Sequence, residues 1–315
     1  MEDPVTSRSP VRVLARGRAL AAMALVFALP AASSRAGEKE DVLWAHLRAR
    51  VQDTEKRLDG VLGLSVKDLK TGASFELRPD DVFPQASSIK LAVLYELYRQ
   101  ADEGKIDLGQ VTRPPLPRVK GGGVLQELGD KVSLTWRDLA VMMVGWSDNE
   151  ATNVLIGRLG MPAVNHRLED DLDLDHTRLR RKMMDLEAAR RGEENAGTPS
   201  EMRRLVEAIY AGKGLSPAAA RDIRVVLATP KDSPFRVPLP EGLRVMDKPG
   251  SLEGVRCVTA VVDLPERPYA VSIETTFLRR QEDGEAAIRE ISAALYETFD
   301  RLSRSSELGR VISER

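Results

Sequence analysis

The sequence has few of the residues from which metal sites, disulfide frameworks and nucleic-acid surfaces are built. Its 315 residues contain one cysteine, Cys257, which excludes an internal disulfide and a cysteine-based zinc cluster. The three histidines share no ligand spacing, so histidine-centred catalysis and metal binding have little basis. Lys plus Arg number 47 against 48 Asp plus Glu, so no global positive field draws the chain to nucleic acid. We expect no metal and no nucleic-acid partner.

Long apolar runs are equally scarce, and the most marked one is short. Residues 19–32 form an apolar stretch behind arginines at positions 12, 16 and 18, and small residues follow at Ser34 and Ala36. This order is typical of an export signal cut after Ala36, and the stretch is too short to span a bilayer comfortably. An N-terminal membrane anchor is the alternative. We expect residues 1–36 to be a signal peptide and residues 37–315 to be a bacterial domain, periplasmic or secreted, with no membrane span left.

Strand patterns stand at both ends of the mature chain, and helical patterns fill its middle. A hairpin pattern covers residues 61–77, and three strands at hairpin spacing fall within 243–276. Amphipathic helices are predicted at 40–58 and 285–302. This order predicts an α+β fold in which helices flank an antiparallel sheet, with an all-α lobe inserted between the N-terminal and C-terminal strands.

The lobe boundaries follow from the same patterns. Residues of about 37–85 and 205–315 are expected to form the α/β lobe, and about 86–204 the helical lobe. A helix is predicted to begin at Ser87. Residues 170–198 are charged and have no clear period, which predicts a long ordered loop.

The first candidate for chemistry is Ser87-Ser88-Ile89-Lys90. Residues three apart on a helix lie ~60° apart around the axis, so Ser87 and Lys90 can face the same way. A hydroxyl is a poor nucleophile until a base takes its proton, and lysine is such a base only where its ammonium form is destabilised. The alternative is a capped helix that carries a surface lysine.

The second candidate is Ser147-Asp148-Asn149, which follows an apolar helical segment. The Ser147 hydroxyl could pass a proton from the nucleophile to a departing nitrogen. The Asn149 amide could bind an amide carbonyl of a substrate. The alternative is an Asx-type turn between two helices.

The third candidate is Lys248-Pro249-Gly250-Ser251, on a late strand. A second ammonium there would lower the pKa of the first lysine and attract a substrate carboxylate. Gly250 allows a close backbone approach, and the Ser251 N–H could join that of Ser87 in an oxyanion hole. Arg256, at the start of the next strand, could bind the same carboxylate.

Together these motifs resemble those of the class A serine β-lactamases and related penicillin-recognising enzymes. The likeness runs from about Val61 to Phe277 and includes Thr198-Pro199 at the start of a helix. It implies a β-lactamase/transpeptidase-like fold. It also implies that Ser87 is acylated by a lactam carbonyl and that the acyl-enzyme is then hydrolysed.

The resemblance assigns a role to each matching residue. It implies that Ser87 is the nucleophile, Lys90 its activating base and Ser147 the proton shuttle. Asn149 corresponds to a ligand of the substrate amide and Lys248 to the cation near the substrate carboxylate. Arg256 falls close to the strand arginine of the family, across a slightly shorter hairpin.

Two residues depart from the family pattern. Pro249 stands where the family has Thr or Ser, which removes a hydroxyl and a backbone donor; Ser251 is a partial substitute for that hydroxyl. The family also has a deacylating glutamate on the loop before the Thr-Pro helix, with an asparagine four residues later. Counting forward from Thr177 places Met183 at that position, whereas counting back from Thr198 places Lys182 there, and neither is acidic. Asp185 and Glu187 are the nearest carboxylates.

We therefore expect a monomeric exported serine hydrolase that opens β-lactam amides without a metal or organic cofactor, as in antibiotic resistance. One alternative is a D-Ala-D-Ala peptidase or amidase that binds penicillin, acts on peptidoglycan-like substrates and deacylates slowly. The other alternative is a non-catalytic sensor on the same scaffold.

Overall fold

The computed structural model describes residues 35–113, 119, 121–129, 131–306 and 308–312. Except for its last two residues, the predicted signal peptide lies outside the described residues. Within these ranges, no helix has the length and apolar character needed to cross a membrane.

The strands of the large sheet lie near the two ends of the described chain, and most of the helices lie between them. The helices are α1 (Arg35–Arg57), α2 (Lys90–Asp102), α3 (Trp136–Gly145), α4 (Asn149–Leu159), α5 (Met161–His166), α6 (Leu186–Arg190), α7 (Pro199–Ala211), α8 (Pro217–Leu227) and α9 (Gln281–Arg304). The strands are β1 (Val61–Asp68), β2 (Ser74–Leu77), β3 (Phe83–Pro84), β4 (Val111–Thr112), β5 (Leu134–Thr135), β6 (Ala196–Gly197), β7 (Val245–Leu252), β8 (Val255–Val262) and β9 (Tyr269–Thr276).

Five strands from the two ends of the chain form one antiparallel sheet, which confirms the predicted α+β class. Their order is β2-β1-β9-β8-β7, so the N-terminal hairpin pairs with the last strand. Strand β7 is at the edge, where Pro249 costs no ladder hydrogen bond on its open side.

Side chains alternate between the two faces of this sheet, and each face is covered. In β8, Val258 and Ala260 belong to an apolar cluster with residues of α1 and α9 such as Leu47 and Ile291. Val261 belongs instead to the cluster formed by the helical lobe. Because both faces of the sheet are buried, every residue of β8 is buried.

The helical lobe is built around α2, whose residues 90–98 are all buried. Polar caps hold the helices around it. Thr135 and Asp138 form a capping box at α3, and Asp148 caps α4. Thr198 caps α7, with Pro199 in its first turn. These caps fix the helix ends that border the site. The exact lobe boundaries stay a prediction.

Two local expectations need correction. The helix predicted at Ser87 begins as a 3₁₀ turn, Ala86–Ile89, and α2 starts only at Lys90. The loop at 170–198 contains the short helix α6 and the strand β6. The third motif lies on a late strand as predicted, since β7 extends from Val245 to Leu252.

Candidate active site

The three motifs meet at one cavity of about 530 Å³ between the helical lobe and the edge strand β7. Of the residues that the sequence singled out, it is lined by Ser87, Ser147, Asn149, Gly250, Ser251 and Arg256. These residues come from positions up to 169 apart along the chain. The fold therefore brings together side chains that share no local sequence.

Ser87 lies in the 3₁₀ turn and is half-buried on the cavity wall. The turn is entered through Ala86, whose φ of 44° is unusual for a residue with a side chain. Within the described part of the chain, the Ser87 hydroxyl makes no hydrogen bond. It is therefore free to meet a substrate carbonyl.

Lys90 is completely buried beneath the cavity. Its Nζ lies 2.6 Å from the Ser147 carbonyl oxygen, 3.2 Å from the Ser147 Oγ and 2.9 Å from the Asn149 Oδ1. Burial holds the pKa of Lys90 well below its usual value, and the nearby Lys248 lowers it further against the opposing effect of Asp148. The capped helix with a surface lysine is therefore not what the chain forms.

Ser147 joins the two lysines of the site. Its Oγ lies 3.0 Å from the Lys248 Nζ as well as 3.2 Å from the Lys90 Nζ. The residue has a φ of 52°, which places the hydroxyl between the lobes at the cost of backbone strain. An Asx-type turn is indeed present, since Asp148 caps α4 through the Ala151 N–H, but it coexists with these contacts.

Lys248 is buried and donates a second hydrogen bond, of 2.7 Å, to the Pro249 carbonyl oxygen. Burial lowers the pKa of Lys248 to about 7, and the cation of Lys231 adds to this effect. Lys231 is a buried lysine that the sequence analysis did not identify. Its Nζ lies 3.4 Å from the buried Asp247. No sequence motif identifies Lys231, because its position depends on a contact between a loop and β7.

Asn149 is held between Lys90 and a glycine-rich loop. Its Nδ2 donates to the Gly121 carbonyl oxygen, and its Oδ1 accepts from Lys90. Asp148 fixes the same loop, since its Oδ2 accepts from the Val124 and Leu125 N–H groups at 2.7 Å each. The Asn149 amide therefore has both its donor and its acceptor engaged by groups of the protein.

Gly250 touches the nucleophile turn through its backbone. A Cβ at this position would lie 2.6 Å from the Cys257 Sγ, 2.8 Å from the Gln85 carbonyl oxygen and 3.0 Å from the Ser87 backbone nitrogen. Two of these three atoms belong to the backbone and cannot rotate away. The close approach expected of Gly250 is confirmed, and it places β7 beside the Ser87 N–H.

We predict that Gly250→Ala lowers the acylation rate by about 10²–10³-fold, the usual cost of a disturbed oxyanion donor. The added methyl group must push β7 away from the Ser87 turn. Reaction with a chromogenic cephalosporin measures the loss. Gly157→Ala is the matched control, because a Cβ there meets nothing within 4 Å. Equal rates in both variants would contradict the close approach.

Arg256 lines the cavity, but its guanidinium is already engaged. Its Nε lies 3.1 Å from the Glu285 Oε1, and its Nη2 donates to the Gln281 Oε1. Its Nη1 donates to the Val255 carbonyl oxygen at 2.9 Å. That Arg256 binds a substrate carboxylate stays a prediction, and Glu285 already offsets part of its charge.

The loop expected to supply a deacylating carboxylate places a methionine there instead. The Asn153 amide donates to the Met183 carbonyl oxygen at 3.0 Å and accepts from the Met183 N–H at 2.8 Å. Asn153 lies one helical turn after Asn149 on α4. The next residue, Met184, has a φ of 62° and lines the cavity. Met183 itself is buried in the apolar cluster of the helical lobe and is not among the residues that line the cavity.

The carboxylates of this loop are directed elsewhere. Asp185 caps α6, and Glu187 is exposed. Glu193 and Glu194 pair with Arg191 and Arg181. Among the described residues that line the cavity, the carboxylates are Asp232 and Glu285, from other segments.

The comparison with known families agrees with this geometry. Residues 46–299 match the model of the β-lactamase enzyme family. The chain belongs to the β-lactamase enzyme family. A β-lactamase of Streptomyces cellulosae is 28% identical over 276 residues, which cover 84% of this chain and 88% of that protein.

Solved structures extend the similarity to the fold. An ancestral class A β-lactamase superposes with a TM-score of 0.74 at 28% identity, over 80% of this chain and 100% of the other. A mutant of PBP-A, solved as an acyl-enzyme complex with penicillin G, superposes with a TM-score of 0.73 at 26% identity, over 81% and 97%. The chain is a serine hydrolase of the class A β-lactamase type.

Proposed function

We propose that this β-lactamase-family chain opens β-lactam amides through an ester on Ser87. The observation that carries the proposal is the contact chain Lys90–Ser147–Lys248, with Ser87 on the wall of the same cavity. Membership of the β-lactamase family supports lactam opening over a peptidase or a non-catalytic sensor on the same scaffold.

Acylation needs Lys90 as a neutral amine, and its contacts suit that form. A neutral amine has two N–H bonds and one lone pair. The Ser147 carbonyl oxygen and the Asn149 Oδ1 accept the two N–H bonds, at 2.6 and 2.9 Å. The lone pair is then left for a hydroxyl proton.

The proposed step transfers one proton along these groups. The Ser87 Oγ bonds to the lactam carbonyl carbon while Lys90 takes the hydroxyl proton. The C–N bond of the ring then breaks, and the Ser147 hydroxyl gives its proton to the departing nitrogen. Lys90 returns its proton to Ser147, so both groups end as they began. The Ser87 and Ser251 N–H groups would stabilise the oxyanion.

A carboxylate beside the lactam ring would be recognised at the β7 side of the cavity. Lys248 supplies the positive charge there, and the Ser251 hydroxyl replaces the one that Pro249 lacks. Arg256 adds little net charge, because Glu285 pairs with it.

Release of the acyl group is proposed to be the slow step. Water attack on an ester needs a general base, whose help is worth about 10²–10⁴-fold. Met183 has no basic group, Asp185 caps α6, and Glu193 and Glu194 pair with arginines, while Glu187 is exposed. We therefore expect rapid formation of the Ser87 ester and slower return to free enzyme.

The test is hydrolysis of a panel of penicillins and cephalosporins, with a D-Ala-D-Ala peptide run in parallel. A burst equal to the enzyme concentration followed by slow turnover is the expected result. Cleavage of the peptide with a permanent penicillin adduct would favour the peptidase instead. Binding of penicillin without any adduct would favour the sensor.

We predict a bell-shaped pH dependence of the acylation rate. The rate rises as pH passes the lowered pKa of Lys90, because only the neutral amine accepts a proton. It falls above pH 7, because Lys248, with a pKa of about 7, loses the charge that binds the substrate carboxylate. A penicillin methyl ester is the control, and it should lack the fall at high pH. A fall of equal size with the ester would contradict the role of Lys248.

Export to the periplasm or medium, action as a monomer and a contribution to antibiotic resistance complete the proposal. Their support is the pattern of residues 12–36 and the family itself. Growth of a host that carries the chain, on plates with a penicillin, tests export and resistance together.

A further inference from the structure

Helix α9 contributes charged side chains to the active-site cavity that no sequence motif contains. Glu285 and Arg289 of this helix line the cavity. Ser251 of β7 and Arg256 of β8 also line it, and these two residues are cross-strand partners. Of the described side chains that line the cavity, Arg256 and Arg289 are cationic. Asp232 and Glu285 offset both charges, so an anion there would be recognised by free hydrogen-bond donors rather than by a net positive field.

The guanidinium of Arg256 has few donors left for a substrate. A guanidinium has five N–H bonds. The Nε of Arg256 donates to the Glu285 Oε1 at 3.1 Å, and its Nη2 donates to the Gln281 Oε1. Its Nη1 donates to the carbonyl oxygens of Val255 and Leu252, at 2.9 and 3.2 Å. These contacts use four of the five N–H bonds, whereas bidentate recognition of a carboxylate needs two parallel ones.

Arg289 keeps the donors that Arg256 has lost. Its Nη1 lies 3.8 Å from the Glu285 Oε2, which is too long for a hydrogen bond, and its guanidinium donates to no other described residue. The Arg289 side chain is 39% exposed, against 11% for Arg256. An ion pair of this length and exposure is worth little, so Arg289 can turn to another carboxylate at small cost.

The packing of α9 fixes the place from which Arg289 reaches the cavity. Its neighbour Ile288 is buried in the apolar cluster that joins α9 to the sheet. Ser292, three residues further on, donates to the Phe235 carbonyl oxygen at 2.7 Å and so holds the loop after α8 against α9. Pro234 of that loop lines the cavity together with Arg289. Arg289 is therefore carried by a well-anchored helix at the cavity wall.

We propose that Arg289 is a substrate-binding residue whose guanidinium takes the carboxylate beside the lactam ring with two parallel N–H bonds. This role rests on the proposed function, since it adds a residue to the carboxylate subsite of that reaction. Lys248 supplies charge at the β7 side, and Arg256 can add its one remaining N–H bond. Glu285 engages Arg256 and leaves the donors of Arg289 available.

The experiment measures the acylation rate against penicillin concentration for Arg289→Ala and the parent chain. The concentration that gives half the limiting rate should rise about tenfold, the usual cost of a lost hydrogen bond to a charged group. The limiting rate should stay the same, because the lost contact is made equally before and during the reaction. Arg289→Lys keeps the charge but not the paired donors, so it should fall between the two.

The methyl ester of the same penicillin shows whether the effect depends on the carboxylate. The ester has no negative charge for Arg289 to bind, so Arg289→Ala should leave its acylation unchanged. The Tm of Arg289→Ala should lie close to that of the parent chain, because the side chain is partly exposed and makes no hydrogen bond to a described residue. A normal Tm excludes loss of the fold as the cause of weaker binding.

Arg301→Ala is the matched control. Arg301 is exposed on the same helix, about three turns beyond Arg289, and it is not among the residues that line the active-site cavity. The substitution removes the same charge from α9. It should leave acylation by the penicillin and by the methyl ester unaffected.

Three results in a parent chain that is acylated would overturn this inference alone. The first is an equal concentration dependence in Arg289→Ala and the parent chain. The second is an equal loss with the penicillin and its methyl ester, which would indicate a change in the cavity rather than a lost carboxylate contact. The third is a loss specific to the free acid in Arg256→Ala with none in Arg289→Ala. Failure of the parent chain to form any acyl adduct would instead refute the proposed function, and the role of Arg289 with it.

Discussion

Ser87→Ala should leave the chain unable to form an acyl adduct with any penicillin. The oxygen that forms the ester is removed, while Lys90, Ser147 and Lys248 keep their mutual contacts. Loss of a serine nucleophile costs turnover on the order of 10⁶-fold in serine hydrolases. Hydrolysis of a chromogenic cephalosporin, with intact-mass spectra of the same samples, measures the loss.

Ser88→Ala is the matched control for this variant. Ser88 is the neighbouring serine, but it is buried, and its hydroxyl donates to the Lys248 carbonyl oxygen at 2.9 Å. We expect Ser88→Ala to remain acylated. Full turnover by Ser87→Ala, or loss of the adduct only in Ser88→Ala, would contradict the assignment of the nucleophile.

Met183→Glu should speed release of the acyl group by about 10²–10⁴-fold, the usual worth of a general base. Asn153 already holds the backbone of residue 183 by two hydrogen bonds, so the new carboxylate enters a fixed segment beside the cavity. Acylation itself should change little, because the base proposed for that step is Lys90. Rates of return from the adduct to the free mass measure the gain.

Two further variants make this prediction specific. Met183→Gln has nearly the same shape as Met183→Glu but cannot act as a base, so it should keep the slow release. Met183→Glu combined with Glu187→Asn restores both family residues of the loop and should release faster than Met183→Glu alone. Equal release rates in all three would show that deacylation uses a different base.

The architecture could be predicted because it depends on local periodicity. The hairpin at residues 61–77 and the three late strands have period-two patterns, and they form the predicted sheet. Helix α9, Gln281–Arg304, contains the amphipathic helix predicted at 285–302. Ser87 departs from the expected α-helix because the turn around it must adopt a positive φ at Ala86, which no local preference for helix indicates.

Only those site residues that belong to the sequence motifs could be predicted. Ser87, Lys90, Ser147 and Lys248 were recognised from order and spacing, and the structure brings them together. These residues could be predicted because each motif is a short, contiguous stretch of the sequence.

Contacts between elements that are distant in the sequence could not be predicted from short motifs. The pairing of Arg256 with Glu285 joins a strand to α9, and the bond from Asn149 to Gly121 joins α4 to a loop. Both contacts depend on tertiary packing. They occupy a guanidinium and an amide that the motifs alone suggest are free to bind substrate.

The most direct test of the central claim is to locate the acyl group after brief exposure of the chain to a penicillin. Proteolysis and mass spectrometry of the trapped adduct should find the added mass on Ser87. That mass should be absent from Ser87→Ala. An adduct on Ser88, Ser147 or Ser251, or hydrolysis with no serine modified, would contradict the account.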